Sequence, residues 1–130
     1  MSGKRKGNRR ERQAAELYER AGYETYRPQE SKYGETDIFG LFDVLAIGPA
    51  PEPTHLLQVK SNRATGITAW GEAALAYARD GVRVRMLVCH DRAGWRIIDP
   101  VPGGHRVVLD ERERDYQMGD GVVPYLGGEA

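Results

Sequence analysis

The sequence predicts one α/β domain, a mixed β-sheet with helices packed against it in the order α-β-β-β-α-β-β. Three observations predict it. At 130 residues the chain can build one modest core and not two. Two segments repeat apolar residues at helical spacing, and the runs between and after them alternate or stay apolar between Gly- and Pro-bearing turns. The run Val82–His90 (VRVRMLVCH) begins half polar and ends apolar, as a central strand entering a core does.

Residues 1–8 are expected to be a disordered basic arm. A helix follows from about Arg9 to Arg20 and stops at Gly22, a natural C′ residue. Its apolar positions Ala14, Leu17, Tyr18 and Ala21 fall at i, i+3, i+4 and i+7. Glu11 stands at the N-terminal end of that stripe, aimed at whatever the helix packs on. A first-turn acid favoured by the helix dipole is the competing reading. Tyr23–Pro28 alternates as a strand, and the polar run after it, with Gly34, is an exposed loop. DIFGLFDVLAI (Asp37–Ile47) is the next strand, with Gly40 as a bulge or bend. The turn GPAPEPT holds three prolines and ends both flanking strands. HLLQVKS (His55–Ser61) is a strand, and a helix from about Thr68 to Arg79 follows, closed by Asp80-Gly81. Trp70, Ala73, Ala74 and Tyr77 line one side of it, as core or dimer packing rather than base stacking. After Val82–His90, GWRIID (Gly94–Asp99) is the last expected strand. The expected division is thus an arm over 1–8, a folded unit over 9–110 and an acidic, Gly-rich tail over 111–130.

Composition excludes several classes. The lone Cys89 permits no internal disulfide and no Cys-rich zinc site, and reads as a buried free thiol. His55, His90 and His105 lack metal-like spacing and read as surface or loop residues. No apolar run approaches the ~18 residues of a membrane span, and no secretory segment is visible, so the expected location is the cytoplasm. The formal net charge is zero, but it is unevenly spread. Lys4, Arg5, Lys6, Arg9, Arg10 and Arg12 face only Glu11 among residues 1–12, whereas acids dominate from Asp110 onward. A basic arm on a neutral chain is a footprint of phosphate contact with DNA or RNA, or else a solvated tail.

One constellation stands out. On HLLQVKS, Gln58 and Lys60 project to one face while Leu57 and Val59 project to the other. Asp43 opens the partner strand of the hairpin, where pairing brings it beside Gln58, and Glu11 points in from the helix. Two carboxylates, an amide oxygen and the Val59 backbone carbonyl are hard oxygen donors suited to Mg²⁺ or Mn²⁺. An adjacent lysine stabilises negative charge on a phosphate. The group that needs such an ion, a lysine and a basic arm is a phosphodiester.

These residues resemble a known family. Asp43 followed by Gln58-Val59-Lys60 is similar to the bipartite signature of the PD-(D/E)XK nucleases, with Gln in the place usually held by Glu or Asp. KGNRRERQAAELYERAGYETYRP looks like the first helix and strand of the archaeal-type Holliday junction resolvases, with Glu11 at their helical acid. The resemblance covers about residues 6–62; beyond it only the element order matches. It implies a restriction-endonuclease-like mixed sheet flanked by helices, and a Mg²⁺-dependent endonuclease (Mn²⁺ substituting) that acts on branched DNA in recombination and repair as a homodimer. It implies Asp43, Gln58, the Val59 carbonyl and Glu11 as metal ligands, Lys60 as the catalytic lysine, and Asp37 as an accessory acid. Lys4, Arg5, Lys6, Arg9, Arg10, Ser31 and Lys32 would contact DNA, the last two from a mobile segment over the junction. A nuclease of the same fold acting on other DNA structures, or a catalytically weak DNA-binding domain, is the alternative. Were the gene viral, the location would be the host cytoplasm.

Overall fold

The computed structural model describes residues 2–28, 37–113 and 123–126. Helix α1 (Ser2–Arg20) starts at Ser2 and not near Arg9. The stretch expected to be a disordered arm therefore continues the helix, as its Lys and Arg residues favour; only Gly3 and Gly7 oppose it. The helix ends as expected at Gly22 (φ 94°). Gly22 N–H donates to Glu19 O and Tyr23 N–H to Tyr18 O, both at 3.0 Å, the paired bonds of a Schellman cap.

Six strands form one sheet in chain order. β1 (Glu24–Tyr26) is shorter than expected. β2 (Val44–Ile47) and β3 (Thr54–Ser61) form the predicted antiparallel hairpin, with Val44 opposite Leu57. Before β2, Ile38 pairs with Phe42 around a turn in which Gly40 has φ 71°, the bend expected there. β3 pairs in parallel with β4 (Val82–His90) through a crossover containing α2 (Ile67–Ala74) and a 3₁₀ turn (Leu75–Tyr77). The helix expected to reach Arg79 stops earlier because Ala78 is extended (ψ 130°). That lets Arg79 and Val82 exchange backbone bonds around Gly81.

Beyond β5 (Gly94–Val101) the structure departs from expectation. A further strand, β6 (Gly104–Asp110), pairs with β5, with a bulge between Ile97 and Ile98. A short helix α3 (Val123–Leu126) follows, and its Leu126 is fully buried, so the stretch expected to be a trailing tail contributes to the core. Glu111 of that stretch is also buried and accepts the Trp95 N–H at 2.8 Å. A side chain at Gly94 would collide with it, since a Cβ there would lie 2.5 Å from the Glu111 carboxylate.

The sheet has a core on each face. α1 supplies Ala14, Leu17 and Tyr18 to one, where Val44, Leu57, Leu87, Ile97 and Leu126 meet them. α2 supplies Trp70 and Ala74 to the other, against Phe42, Leu56, Met86 and Ile98. Trp70 is thus a core residue, its indole donating to Leu41 O at 2.8 Å. Cys89 is buried and free, as expected.

His55 and His90 are not surface residues. His55 is fully buried under α1, its Nδ1 2.9 Å from the Tyr18 hydroxyl, with Tyr23 on its far side. Burial, then the charges of Arg85 and Arg83, push its pKa down to about 3. Arg85, also buried, donates to both Asp99 oxygens (2.6 and 2.9 Å) and to the Leu126 carbonyl at 3.3 Å. A buried guanidinium is tolerable only when its donors are answered in this way. Among the described residues no helix is long and apolar enough to cross a membrane.

Candidate active site

The site forms at the end of the sheet where β2 begins and β3 finishes. Because β2 runs antiparallel to β3 with Val44 opposite Leu57, the preceding residue Asp43 is delivered to Gln58. Asp43 Oδ2 accepts the Gln58 Nε2–H at 2.7 Å and the Val59 backbone N–H at 2.9 Å. The Asp43 N–H donates to Leu57 O at 2.7 Å, which fixes the residue at both ends. Gln58 uses its amide nitrogen on Asp43, so its amide oxygen is the atom left for other chemistry.

Electrostatics link four more residues to this pair. Burial, opposed by the Val59 N–H and the Lys60 charge and reinforced by Asp37, lifts the Asp43 pKa to about 6. Half-buried Glu11 is lifted to about 7 by burial and then by the charge of Asp43; Arg27 opposes the shift and Asp37 adds to it. The charge of Asp37 thus raises both Asp43 and Glu11, and that of Asp43 raises Glu11, as neighbouring carboxylates do. Asp37, expected in an accessory role, is exposed but lies within reach of both. Arg27, just past β1, joins the site without a mark in the sequence, since a lone arginine at a strand end carries no spacing signal.

Arg10 does not face DNA as expected. It is 5% exposed, and its guanidinium pairs with Asp91, bonds Gln13 Oε1 at 3.0 Å and reaches Ser61 Oγ at 3.4 Å. Asn62 joins the group: its Nδ2 donates to Asp91 Oδ2 at 3.1 Å, and its Oδ1 accepts the Asp91 N–H at 2.8 Å. The signal was present, since Arg10 lies four residues before Ala14 and so on the buried stripe of α1. The group joins the residue before Glu11 to the residue after Lys60. Arg9 is exposed, as a phosphate contact requires. The side chains of Lys4, Arg5 and Lys6, and all of Ser31 and Lys32, lie outside the described residues.

Among the described residues no three His, Cys, Asp or Glu side chains converge on a metal position. The expected donor set needs only two carboxylates, completed by an amide and a carbonyl oxygen. Its chemistry fits a divalent cation: oxygen donors throughout, with two carboxyls raised by burial first and by neighbouring carboxylates second, whose charged forms a cation would favour.

No protein-family model matches the chain, and no curated protein does. Among solved structures it is similar to Hjc, a Holliday junction resolvase from the archaeal hyperthermophile Archaeoglobus fulgidus. The identity is 17% and the TM-score 0.51, over 81% of this chain and 88% of that one. The chain has the restriction-endonuclease-like fold of that resolvase, so the PD-(D/E)XK-like residues Asp43, Gln58 and Lys60 sit on the fold that their resemblance implies.

Proposed function

We propose that this chain is a Mg²⁺-dependent endonuclease for branched DNA, resolving Holliday junctions as a homodimer in recombination and repair. The observation that carries the reading is the Asp43 carboxylate, bound to Gln58 and the Val59 N–H, with Lys60 and Glu11 within electrostatic reach. Asp43, Glu11, the Gln58 amide oxygen and the Val59 carbonyl would hold Mg²⁺, with Mn²⁺ able to replace it. When bound, such an ion polarises the phosphodiester and lowers the pKa of a water. Lys60 stabilises the charge that develops on the phosphate as the bond to the leaving oxygen lengthens. Asp37 tunes the two half-buried carboxyls from the rim. Arg9, with Lys4, Arg5 and Lys6 on the helical extension and with Ser31 and Lys32, would track the DNA backbone. The cytoplasm, or a host's cytoplasm for a viral gene, is the place such an activity would work.

A second reading is favoured by one residue. Gln58 removes a negative charge from the ligand set, which suits a domain of this fold that grips DNA and cuts it weakly or not at all. The deciding experiment sets four-way, forked, single-stranded and linear DNA side by side across a Mg²⁺ titration. Mg²⁺-dependent nicking of the four-way substrate supports the first reading. Cleavage of another substrate would retain a nuclease and remove the resolvase. Binding without cleavage at any Mg²⁺ concentration would leave the second.

A further inference from the structure

Phe39 is the most exposed large apolar side chain among the described residues, at 62%. One face of its ring lies parallel on Tyr77, with centroids 4.6 Å apart and planes 10° from coplanar. Tyr77 meets Phe42 edge-on at 5.8 Å, and Phe42 meets Trp70 at 6.1 Å. Phe42 and Trp70 belong to the core. Phe39 is thus the outermost step of an aromatic series rooted in the protein, with a backed inner face and an outer face toward solvent.

Stability alone does not account for this residue. Phe39 has φ 57° and Gly40 after it φ 71°. The left-handed region suits Gly or Asn and strains a bulky side chain. Backbone bonds from Ile38 N to Phe42 O (2.8 Å) and from Phe42 N to Ile38 O (3.0 Å) hold the turn in that shape. The chain accepts strain to present a ring that remains mostly in water, a pairing that marks functional positions.

The surroundings indicate the ligand. The Ile38–Phe42 pairing closes the turn that carries the ring, so the turn begins and ends at Asp37 and Asp43, two of the carboxylates of the candidate site. Asp37 repels a phosphate at that spot but not the uncharged face of a base. We propose that Phe39, backed by Tyr77, stacks on an unpaired nucleobase beside the scissile phosphodiester, so that DNA with an unstacked base at a branch is preferred to continuous duplex. The inference rests on the proposed nuclease reading and names how that site selects its substrate. A ring of this kind accepts any base, because every base has a π-face.

The test uses the full chain without divalent ions and DNA carrying 2-aminopurine at the branch of a four-way junction, at an unpaired bulge, or within a linear duplex. Phe39→Ala should weaken binding to the first two by about 5- to 150-fold, the range of one lost base–aromatic stack, and leave the duplex unchanged. Phe39→Trp should restore the affinity and the 2-aminopurine response. Phe39→Gly should lose the affinity while raising the melting temperature, because it relieves the left-handed strain. Equal weakening on all three substrates, or none, overturns the proposal and leaves the nuclease reading intact. A loss of dimer in Phe39→Ala by light scattering overturns it in favour of a contact between two copies. If the parent binds none of the DNAs, the nuclease reading itself fails and this inference falls with it.

Discussion

At Asp43, burial and the nearby Asp37 hold the carboxyl at about pH 6, against an ordinary value of 3.8. Below pH 3.8 folded and unfolded chains are both protonated there, and the site costs nothing. As pH rises through 6 the folded chain must carry a charge that the unfolded chain carries more easily, so stability is lost. At about 1.4 kcal/mol per pKa unit, Asp43→Asn should stabilise the metal-free protein by about 1–3 kcal/mol at pH 8. The gain should vanish below pH 4, as urea unfolding would measure. Glu11, lifted to about 7, has the same sign. The same variant should lose cleavage, and Mg²⁺ should raise the melting temperature of the parent but not of Asp43→Asn. A variant that gains nothing at pH 8 would mean that Asp43 is not held against its charge. Gln58 tests the same balance from the other side. Gln58→Glu adds a charged oxygen donor beside Asp43 and should lower the Mg²⁺ concentration for half-maximal cleavage; Gln58→Leu should impair cleavage. If both variants cleave as the parent does, Gln58 is not a ligand. His55 shows the opposite sign. With a folded value of about 3 against 6.5, it favours the fold above pH 6.5 and withdraws that support as pH falls toward 3.

Between elements, the Arg10–Asp91–Asn62 group joins the middle of α1 to the ends of β3 and β4, and so registers Glu11 against Lys60. Arg10→Met should cost about 1–3 kcal/mol of stability and lower the cleavage rate at saturating DNA. A core variant of equal cost far from the site, such as Leu109→Ala, should spare the rate while the protein stays folded. Equal loss of cleavage in both would reduce the group to a plain structural tie. The contrast between this group and the Asp43 hairpin shows what the sequence made legible. Asp43 and Gln58 are fifteen residues apart across one proline-closed turn, so alternation and antiparallel pairing place them together. Arg10 and Asp91 are 81 apart, and no local rule pairs them. His55 reads as a loop histidine until Tyr18 and Tyr23 close over it from α1 and the start of β1. β6 escaped notice because its residues are exposed from Gly104 to Val107 and show no alternation. α3 escaped because four residues are too short for a helical period to register.

For the whole molecule, the single copy of Asp43, Gln58 and Lys60 sets the requirement for assembly. Resolving a four-way junction needs two symmetric nicks, so the proposed activity needs two chains about a dyad. Light scattering at micromolar concentration should give a dimer, and a cruciform plasmid should yield linear product from paired nicks in one encounter. A monomer that produces only nicked circles would remove the resolvase reading and leave a structure-dependent nickase. Trp70 has little surface to offer such an interface, since it is 9% exposed in the α2 core. Tyr77 remains partly accessible beside Phe39. The meeting of α1 and α3 on one face of the sheet also orders events during synthesis. The apolar stripe of α1 leaves the ribosome first, yet its core includes Leu126, and the Leu126 carbonyl answers Arg85. A nascent chain that has not reached residue 126 holds Leu17 and Tyr18 without their full cover, and with them the helix that carries Glu11. The segment that completes the cover of α1 is thus made last among the described residues, and the helix that carries Glu11 gains its full packing only once residue 126 has emerged.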